Sequence, residues 1–296
     1  MKKLFALLIA VLMIATLAAC SDEGGEIVKG GDGDDEEIVT SYVDAKTGDT
    51  FHFESVTSDT VVITDFEAGI DTAHEVKIPA YLANKMVIGI EEEAFATISS
   101  VSKIVFPTLD EYRYITTVTF DENGAPTETT VESEIYDPEK FEFTIAAFAF
   151  RNCDALVSIE IPAYVTAIGE GAFYECVSLE SVTIASDAKL STIERVTFAK
   201  CNKLTSITIP ASIKMVNAAA FFSCDGLQTV SFAEGTVMIL EQAFQNCKKL
   251  ETVALPATLI SIGSNAFAGT DALTTVTYAG TSEQVLSYID GLDLPQ

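Results

Sequence analysis

The stretch Ala172-Phe173-Tyr174-Glu175-Cys176 is one copy of a unit that recurs towards the end of the chain. Its phenylalanine has counterparts in register at positions 150, 173, 198, 221, 244 and 267, so successive copies are 23, 25, 23, 23 and 23 residues apart. A fixed period of this length is the signature of a solenoid, in which each repeat buries its apolar face against its neighbours. The repeat therefore predicts one elongated domain, although 296 residues would allow about two globular ones.

The copies share the pattern Leu-x-x-Val-x-Ile, often followed by Pro, then usually an Ile five residues before the Phe and, in five of the six, a Cys three residues after it. Residues 161–173 read IPAYVTAIGEGAF. This pattern resembles the BspA-type leucine-rich repeat, whose consensus is close to LxxVxIPxxVTxIGxxAFxxCxx, and the resemblance covers residues 73–280. It implies an α/β repeat fold, namely a right-handed, β-rich leucine-rich-repeat solenoid with a parallel sheet on one face and short helices or turns opposite.

The alternation within one copy predicts which side chains are buried. Val182 and Ile184 alternate with Ser181 and Thr183, and successive residues of a strand face opposite sides of the sheet. We expect the aliphatic pair to face the interior together with the Phe of each copy, and the hydroxyl pair to face solvent. Neighbouring coils should stack about 4.8 Å apart.

The regions around the repeats have their own patterns. Residues 38–72 alternate in strand fashion and are interpreted as an N-terminal β cap, which a solenoid needs to cover its first coil. An insertion near 108–144 contains two strand-like runs flanking Asn123-Gly124, which predicts a hairpin with that turn. Such an excursion is either a functional loop or a tolerated decoration. Residues 281–296 predict a C-terminal capping helix with Ser282 as its N-cap.

The N-terminal segment predicts export. Residues 1–19 are interpreted as a signal peptide, because two lysines precede an apolar run that is short for a membrane span. The run ends in Leu17-Ala18-Ala19-Cys20, which resembles the lipobox of bacterial lipoproteins and implies that Cys20 is lipidated; the alternative is ordinary signal cleavage. Residues 20–37 are acidic and rich in glycine, which predicts a flexible tether. The acidic run 32–37 lacks the spacing of an EF-hand loop and is interpreted as solvated charge.

Charge and composition exclude several function classes. The chain has 44 acidic and 17 basic residues, a formal net charge of −27, which repels phosphate backbones and makes nucleic acid an unexpected partner. His52 and His74 are the only histidines, so His-based catalysis and metal binding have almost no candidates. The Glu91-Glu92-Glu93 run and the pair Glu139 and Glu142 are interpreted as solvated charges rather than a glycosidase pair. We predict no catalytic residue, no metal site and no cofactor.

Five cysteines occupy one position of successive repeats: Cys153, Cys176, Cys201, Cys224 and Cys247. Cysteines in an exported protein would ordinarily suggest disulfides or a metal site. A stacked column, however, points its side chains in parallel, leaves an odd residue unpaired and makes no tetrahedral cage for zinc. We therefore predict free, buried thiols that pack as small hydrophobic side chains.

The outward strand positions form two rows of mostly hydroxyl side chains. One row contains Ser158, Ser181, Ser206, Thr229, Thr252 and Thr275, and the other contains Glu160, Thr183, Thr208, Ser231, Ala254 and Thr277. These residues have high β-propensity, which accounts for them without any partner. The alternative is that the nearly neutral face of a strongly acidic protein is a flat docking surface for protein or glycan.

The resemblance implies a cell-surface lipoprotein, anchored to the bacterial membrane through Cys20, that acts as an adhesin or surface antigen without enzymatic activity. It would bind proteins of a host or of neighbouring cells, through the hydroxyl rows or through the hairpin turn at Asn123 and Gly124. The alternative is a glycan-binding or cell-envelope scaffolding module. The absence of Trp from the chain disfavours a stacking platform for sugars.

Overall fold

The computed structural model describes residues 25–30, 38–120 and 126–292, which form two compact units. The first, the N-terminal unit, contains the described residues up to Ile70 together with Lys77–Gly89 and Phe106–Phe141. The second, the repeat unit, contains Asp71–Val76, Ile90–Val105 and the described residues from Glu142 onward. Most of the insertion near 108–144 therefore belongs to the N-terminal unit.

In chain order the elements are β1 (Gly25–Gly30), β2 (Ile38–Asp44), β3 (Thr50–Ser55), β4 (Thr60–Glu67), β5 (His74–Lys77), β6 (Tyr81–Leu82), β7 (Lys85–Ile90), β8 (Val101–Val105), α1 (Leu109–Arg113), β9 (Tyr114–Phe120), β10 (Pro126–Glu132), β11 (Phe143–Ile145), β12 (Ser158–Ile161), β13 (Val165–Ile168), β14 (Ser181–Ile184), β15 (Thr192–Ile193), β16 (Ser206–Ile209), β17 (Met215–Val216), β18 (Thr229–Phe232), β19 (Met238–Ile239), β20 (Thr252–Leu255), β21 (Ser261–Ile262), β22 (Thr275–Tyr278) and α2 (Glu283–Asp290).

The repeat unit is a β-solenoid built on a long sheet in the order β5-β8-β12-β14-β16-β18-β20-β22. The pairs from β8 to β22 are parallel and join strands of successive coils. Val182 and Ile184 are buried whereas Ser181 and Thr183 are exposed, so the predicted parallel sheet and its inward face are confirmed. Ser158 lies opposite Lys103, so the sheet passes directly from β8 to β12 although the insertion separates them in sequence.

A second parallel sheet, which the sequence did not predict, joins the short strands β15, β17, β19 and β21 in that order. Each strand has two residues, too few for an alternating pattern to be recognised. β11 and β13 pair in the same parallel manner. Each of these strands ends on the buried aliphatic residue five positions before a Phe: Ile145, Ile168, Ile193, Val216, Ile239 and Ile262.

The segments opposite the long sheet are turns, and backbone hydrogen bonds join each turn to the next coil. The N–H groups of Gly171, Phe173 and Glu175 donate to the carbonyl oxygens of the next coil at 3.0, 2.9 and 3.0 Å. The same triplet of donors recurs around Phe150 and Phe221. Because these bonds involve only the backbone, they recur from the coil of Phe95 to the coil of Phe244 whatever the exposed side chains are.

Two residues of every turn have a left-handed backbone. The residues two before and two after each Phe have φ between 47° and 72° in seven coils. They are Glu93 and Thr97, Phe148 and Asn152, Gly171 and Glu175, Val196 and Lys200, Ala219 and Ser223, Gln242 and Asn246, and Asn265 and Gly269. This conformation costs an L-residue about 1–2 kcal/mol, and in the first six of these coils it persists because both residues donate to the neighbouring coil.

Seven phenylalanines stack through the interior of the repeat unit, as the repeat predicts for the six from Phe150 to Phe267. Successive ring centroids, starting at Phe95, are 5.0–5.4 Å apart with interplanar angles of 1–29°. Every ring in this column is at most 3% exposed. Because the ring spacing is close to the strand spacing of about 4.8 Å, each Phe contacts its counterparts in the coils on both sides.

The N-terminal unit contains an antiparallel meander of β1, β2, β3 and β4, within the residues interpreted as a cap and tether. Its interior includes Phe51 and Phe66, whose rings meet edge to face at 5.1 Å. Within residues 20–37, interpreted from the sequence as a flexible tether, Gly25–Gly30 pair with β2 as β1. Ile27 and Val28 give this acidic run local strand propensity, and the edge of β2 supplies its partner.

The insertion begins with α1 and continues into the antiparallel pair β9 and β10. Thr108 caps α1 in a capping box with Glu111. Tyr112 of this helix is fully buried, and the Tyr81 hydroxyl is hydrogen-bonded to its carbonyl oxygen and, at 2.8 Å, to the Ser133 hydroxyl. Buried polar contacts therefore hold both ends of the hairpin within the N-terminal unit.

The C-terminal helix α2 takes the place of a further coil. Ser282 is its N-cap, as predicted, and accepts from the N–H of Val285. The Gln284 amide bonds both the N–H and the carbonyl oxygen of Ile262, at 2.9 and 2.8 Å. The Tyr288 hydroxyl accepts from the N–H of Phe267 at 3.1 Å, and its ring packs edge on against the Phe267 ring. The Gln284 and Tyr288 side chains thus form the hydrogen bonds that the backbone of a further coil would otherwise form with Ile262 and Phe267.

Candidate binding face

The two predicted hydroxyl rows lie in register on the outer face of the long sheet, here called the hydroxyl face. Ser158 pairs with Ser181, Ser181 with Ser206, Ser206 with Thr229, and the row continues through Thr252 to Thr275. In the second row Glu160 pairs with Thr183, and Thr208 begins a run of partners through Ser231 and Ala254 to Thr277.

The hydroxyl face is open to solvent. Ser158, Ser231, Thr252 and Ala254 are half-buried, and the other members of the two rows are exposed. The Thr208 and Ser231 hydroxyl groups are hydrogen-bonded to each other at 3.1 Å across neighbouring strands. A hydroxyl both donates and accepts, so these rows can bond either polarity of group on a partner.

Charged residues lie at one margin of the hydroxyl face. Glu160 is the charged member of the rows, and Lys103, which pairs with Ser158 in the sheet, forms an ion pair of 3.5 Å with Glu75. Beyond β14 the outward row residues are uncharged. A partner approaching this part of the face meets hydroxyl and aliphatic groups, whereas the chain as a whole has a formal charge of −27.

The 25-residue copy perturbs the sheet at one place. Between β14 and β16 the paired residues are Ser181 and Ser206, fewer than in the other pairs of successive full coils. The two additional residues of this copy lie in the segment 185–190, where Ala185 replaces the usual Pro. The hydroxyl face therefore has a local irregularity next to Thr183 and Thr208.

The second predicted binding element is described only in part. Asn123 and Gly124 lie outside the described residues, as does Cys20, the predicted lipidation site. The strands on either side of the turn pair in antiparallel register from Phe120 with Pro126 to Tyr114 with Glu132. Among the described residues, no helix is long and apolar enough to cross a membrane.

The five repeat cysteines are free and buried, as predicted. Each thiol donates to the carbonyl oxygen of the Phe one coil earlier, as in Cys153 to Phe95 and Cys176 to Phe150, both at 3.0 Å. Burial raises the pKa of the Cys153 thiol to about 12 and also raises the pKa of the Cys201 thiol. The Cys153 and Cys201 thiols are therefore held in the protonated form, and burial shields all five thiols from reagents.

The glutamates considered above as a glycosidase pair are exposed or ion-paired. Glu93 forms an ion pair of 3.0 Å with Arg151, and Glu91 and Glu92 are exposed. Glu139 and Glu142 are exposed as well. Ion pairs of this kind also link successive coils elsewhere on the turn side, as between Glu175 and Lys200 at 2.5 Å.

A cluster of three ionisable side chains was missed by sequence reasoning. His52 on β3 pairs with Asp65 on β4, and Glu67 follows two residues later on the same outward face. One ligand atom from each of the three lies within 4.8 Å of the other two. Alternation could have predicted three outward residues, but a β-bulge after His52 sets the pairing, and nothing in the sequence marks its position.

The repeats have a family counterpart. The chain matches the model of the BspA type leucine rich repeat region in six copies, over residues 73–185, 139–235 and 184–289. The chain belongs to this family. The resemblance on which the fold prediction rested is thereby confirmed. A comparison with curated proteins found no match.

Several solved structures resemble this chain to different degrees. A leucine-rich repeat protein of T. pallidum superposes with a TM-score of 0.60 at 21% identity, covering 83% of this chain and 95% of that chain. The pneumococcal vaccine antigen PcpA gives a TM-score of 0.46 at 19% identity, covering 81% and 70% of the two chains. A protein from Eubacterium ventriosum gives 0.42 at 22%, covering 67% and 65%. The likeness to the T. pallidum protein supports the leucine-rich-repeat fold.

Proposed function

We propose that this BspA-type chain is a right-handed solenoid that acts as a non-enzymatic, cell-surface adhesin or surface antigen and binds extracellular proteins through its hydroxyl face. The observation that carries the proposal is the register of the face: two rows of mostly hydroxyl side chains, exposed or half-buried, follow successive parallel strands. A flat sheet of this kind offers contact over a broad area rather than in a pocket, which suits a protein partner.

Rigidity supports the same proposal. The hydroxyl face is backed by the Phe column and by backbone bonds between coils, so its side chains are held at fixed spacing before a partner arrives. Preordered contacts reduce the entropy that binding costs. The negative charge of the chain further favours partners with a neutral or basic surface.

A variant pair tests the face. Thr183→Lys with Thr229→Lys adds two bulky charges to the hydroxyl face, and Gln242→Lys with Ser264→Lys adds the same charge at exposed turn positions. A screen against extracellular-matrix and surface proteins would first identify a ligand. We expect the first pair of substitutions to lower the affinity for that ligand by at least about tenfold and the second pair to leave the affinity unchanged. Equal effects of both pairs would contradict binding by this face.

The hairpin offers an alternative contact within the same function. Deletion of residues 110–140, measured against the same ligand, separates the two regions. If the deletion abolishes binding while the Thr183→Lys and Thr229→Lys variant still binds, the hairpin around Asn123 and Gly124 is the recognition element.

A glycan-binding or cell-envelope scaffolding role is the second candidate, favoured by the same hydroxyl rows because hydroxyl groups pair well with sugar hydroxyls. A glycan array run beside the protein panel distinguishes the two. Strong, saturable sugar binding without a protein ligand would replace the adhesin proposal.

The proposed location depends on lipidation of Cys20, with membrane anchoring through the attached acyl chains. A Cys20→Ala variant should be released in soluble form, and a Ser21→Ala variant should remain in the membrane fraction. A Cys20→Ala protein that still fractionates with membranes would contradict the anchor.

A further inference from the structure

We propose that His52, Asp65 and Glu67 form a binding site for a divalent transition-metal ion of the Zn²⁺ class in the N-terminal unit. The three side chains project from one face of the antiparallel pair β3 and β4, while Phe51, Phe53 and Phe66 of the same strands point into the interior. A cross-strand pair and an i, i+2 neighbour thus place one imidazole and two carboxylates at a single point.

The distances fit a metal ion. The His52 Nε2 atom lies 3.4 Å from the Glu67 Oε1 atom, and the ligand atoms of all three residues lie within 4.8 Å of one another. Zinc bonds imidazole nitrogen and carboxylate oxygen at about 2.0–2.2 Å, which separates two tetrahedral ligands by about 3.4 Å. One ion can therefore bridge this pair with little movement of either side chain.

A ring nitrogen that lacks a partner supports the assignment. The His52 Nε2 atom is shielded from solvent and makes no hydrogen bond, although the imidazole as a whole is partly exposed. A shielded polar atom without a hydrogen bond has lost its hydration, and the Glu67 carboxylate 3.4 Å away does not replace it with a hydrogen bond. A metal ion held with the exposed Asp65 and Glu67 carboxylates would supply the missing interaction.

The donor set indicates the class of ion. Imidazole combined with carboxylate oxygen suits zinc and its first-row neighbours, whereas calcium and magnesium prefer oxygen ligands alone. Three protein ligands leave at least one coordination position for water, and the carboxylates are exposed, so we expect exchangeable binding rather than a closed structural site. The ion would join β3 to β4 beside the bulge that follows His52.

The test is a Zn²⁺ titration of the full chain in detergent, by calorimetry and against a chromophoric indicator. We expect one saturable site that a His52→Asn or Glu67→Gln substitution weakens by at least about tenfold, since losing an outer-shell contact alone costs about 10–100-fold. His74→Asn is the matched control because it removes the other imidazole, whose Nδ1 atom lies 3.0 Å from the Thr72 carbonyl oxygen. This control should bind as the unsubstituted chain does.

X-ray absorption of the zinc-loaded protein supplies an independent readout, with nitrogen and oxygen neighbours expected at about 2.0–2.2 Å. Four results would overturn the proposal: full affinity in His52→Asn, equal loss in His74→Asn, no saturable binding up to millimolar Zn²⁺, or sulfur neighbours that place the ion on a cysteine. The adhesin proposal concerns a different surface, the hydroxyl face. The outcome of the zinc titration therefore does not decide the adhesin proposal, and the binding screen does not decide the metal site.

Discussion

Truncation of Phe221 to Ala tests how far the stacked column stabilises the repeat unit. Phe221 is fully buried, and its ring centroid lies 5.4 Å from that of Phe198 and 5.1 Å from that of Phe244. A phenylalanine buries about 200 Å², which at about 25 cal/mol per Å² corresponds to about 5 kcal/mol. Measured losses for such truncations are about 3–5 kcal/mol, so we expect the free energy of unfolding to fall by about 4 kcal/mol.

The adjacent residue provides the control. Phe222 is partly exposed and lies outside the column, so the Phe222→Ala substitution removes the same atoms from a less buried position. Urea unfolding followed by circular dichroism should show a loss at least about 2 kcal/mol smaller for Phe222→Ala than for Phe221→Ala. Equal losses would refute the reasoning, because the column would then contribute no more than any other ring.

Hydrogen exchange gives the spatial pattern. Since each coil bonds mainly to its neighbours, Phe221→Ala should lower protection most in the coils that contain Phe198 and Phe244. A uniform decrease over the whole repeat unit would instead indicate that the unit unfolds in one cooperative step.

Four further expectations rest on the same structure. Val196→Asn should stabilise the protein by about 1 kcal/mol in urea unfolding, because a β-branched residue has φ of 47° there and Asn tolerates that conformation better. Gly169→Ala should destabilise it by about 1–3 kcal/mol by the same measurement, because the added Cβ would overlap the backbone nitrogen of Ala147. A thiol reagent at pH 8 should label none of the five repeat cysteines in the native protein and all five after denaturation. Because burial raises the pKa of Cys153 from 9.0 to about 12, its contribution to stability is complete below pH 9 and is lost as the pH rises towards 12, which urea midpoints across that range would show.

The repeated residues predicted the parts of the fold that depend on a repeated physical requirement. Phe173 and Cys176 recur because an interior position must be filled once in each coil, and both are buried as expected. The exposure of Ser181 and Thr183 followed from alternation alone. Periodicity was sufficient wherever every copy meets the same surroundings.

Other features depend on contacts that no local pattern encodes. The second sheet was missed because a strand such as Thr192–Ile193 is defined by its neighbour and not by its own sequence. The left-handed turns were missed because Val196 and Lys200 are not residues that favour positive φ. The cluster at His52 depends on a bulge that sets which residues of β3 and β4 face each other.

The direction of the hydrogen bonds between coils has a mechanical consequence. In a parallel sheet these bonds are slanted but join neighbouring strands, so in the repeat unit they lie mainly along the direction in which the coils stack. A force that pulls the two ends of this unit apart would load one coil boundary at a time, and the coils would separate in succession. Each 23-residue coil would then release about 80 Å of chain. Under tension the repeat unit would extend as a series of equal steps, absorbing work at each one while the remaining coils stay folded.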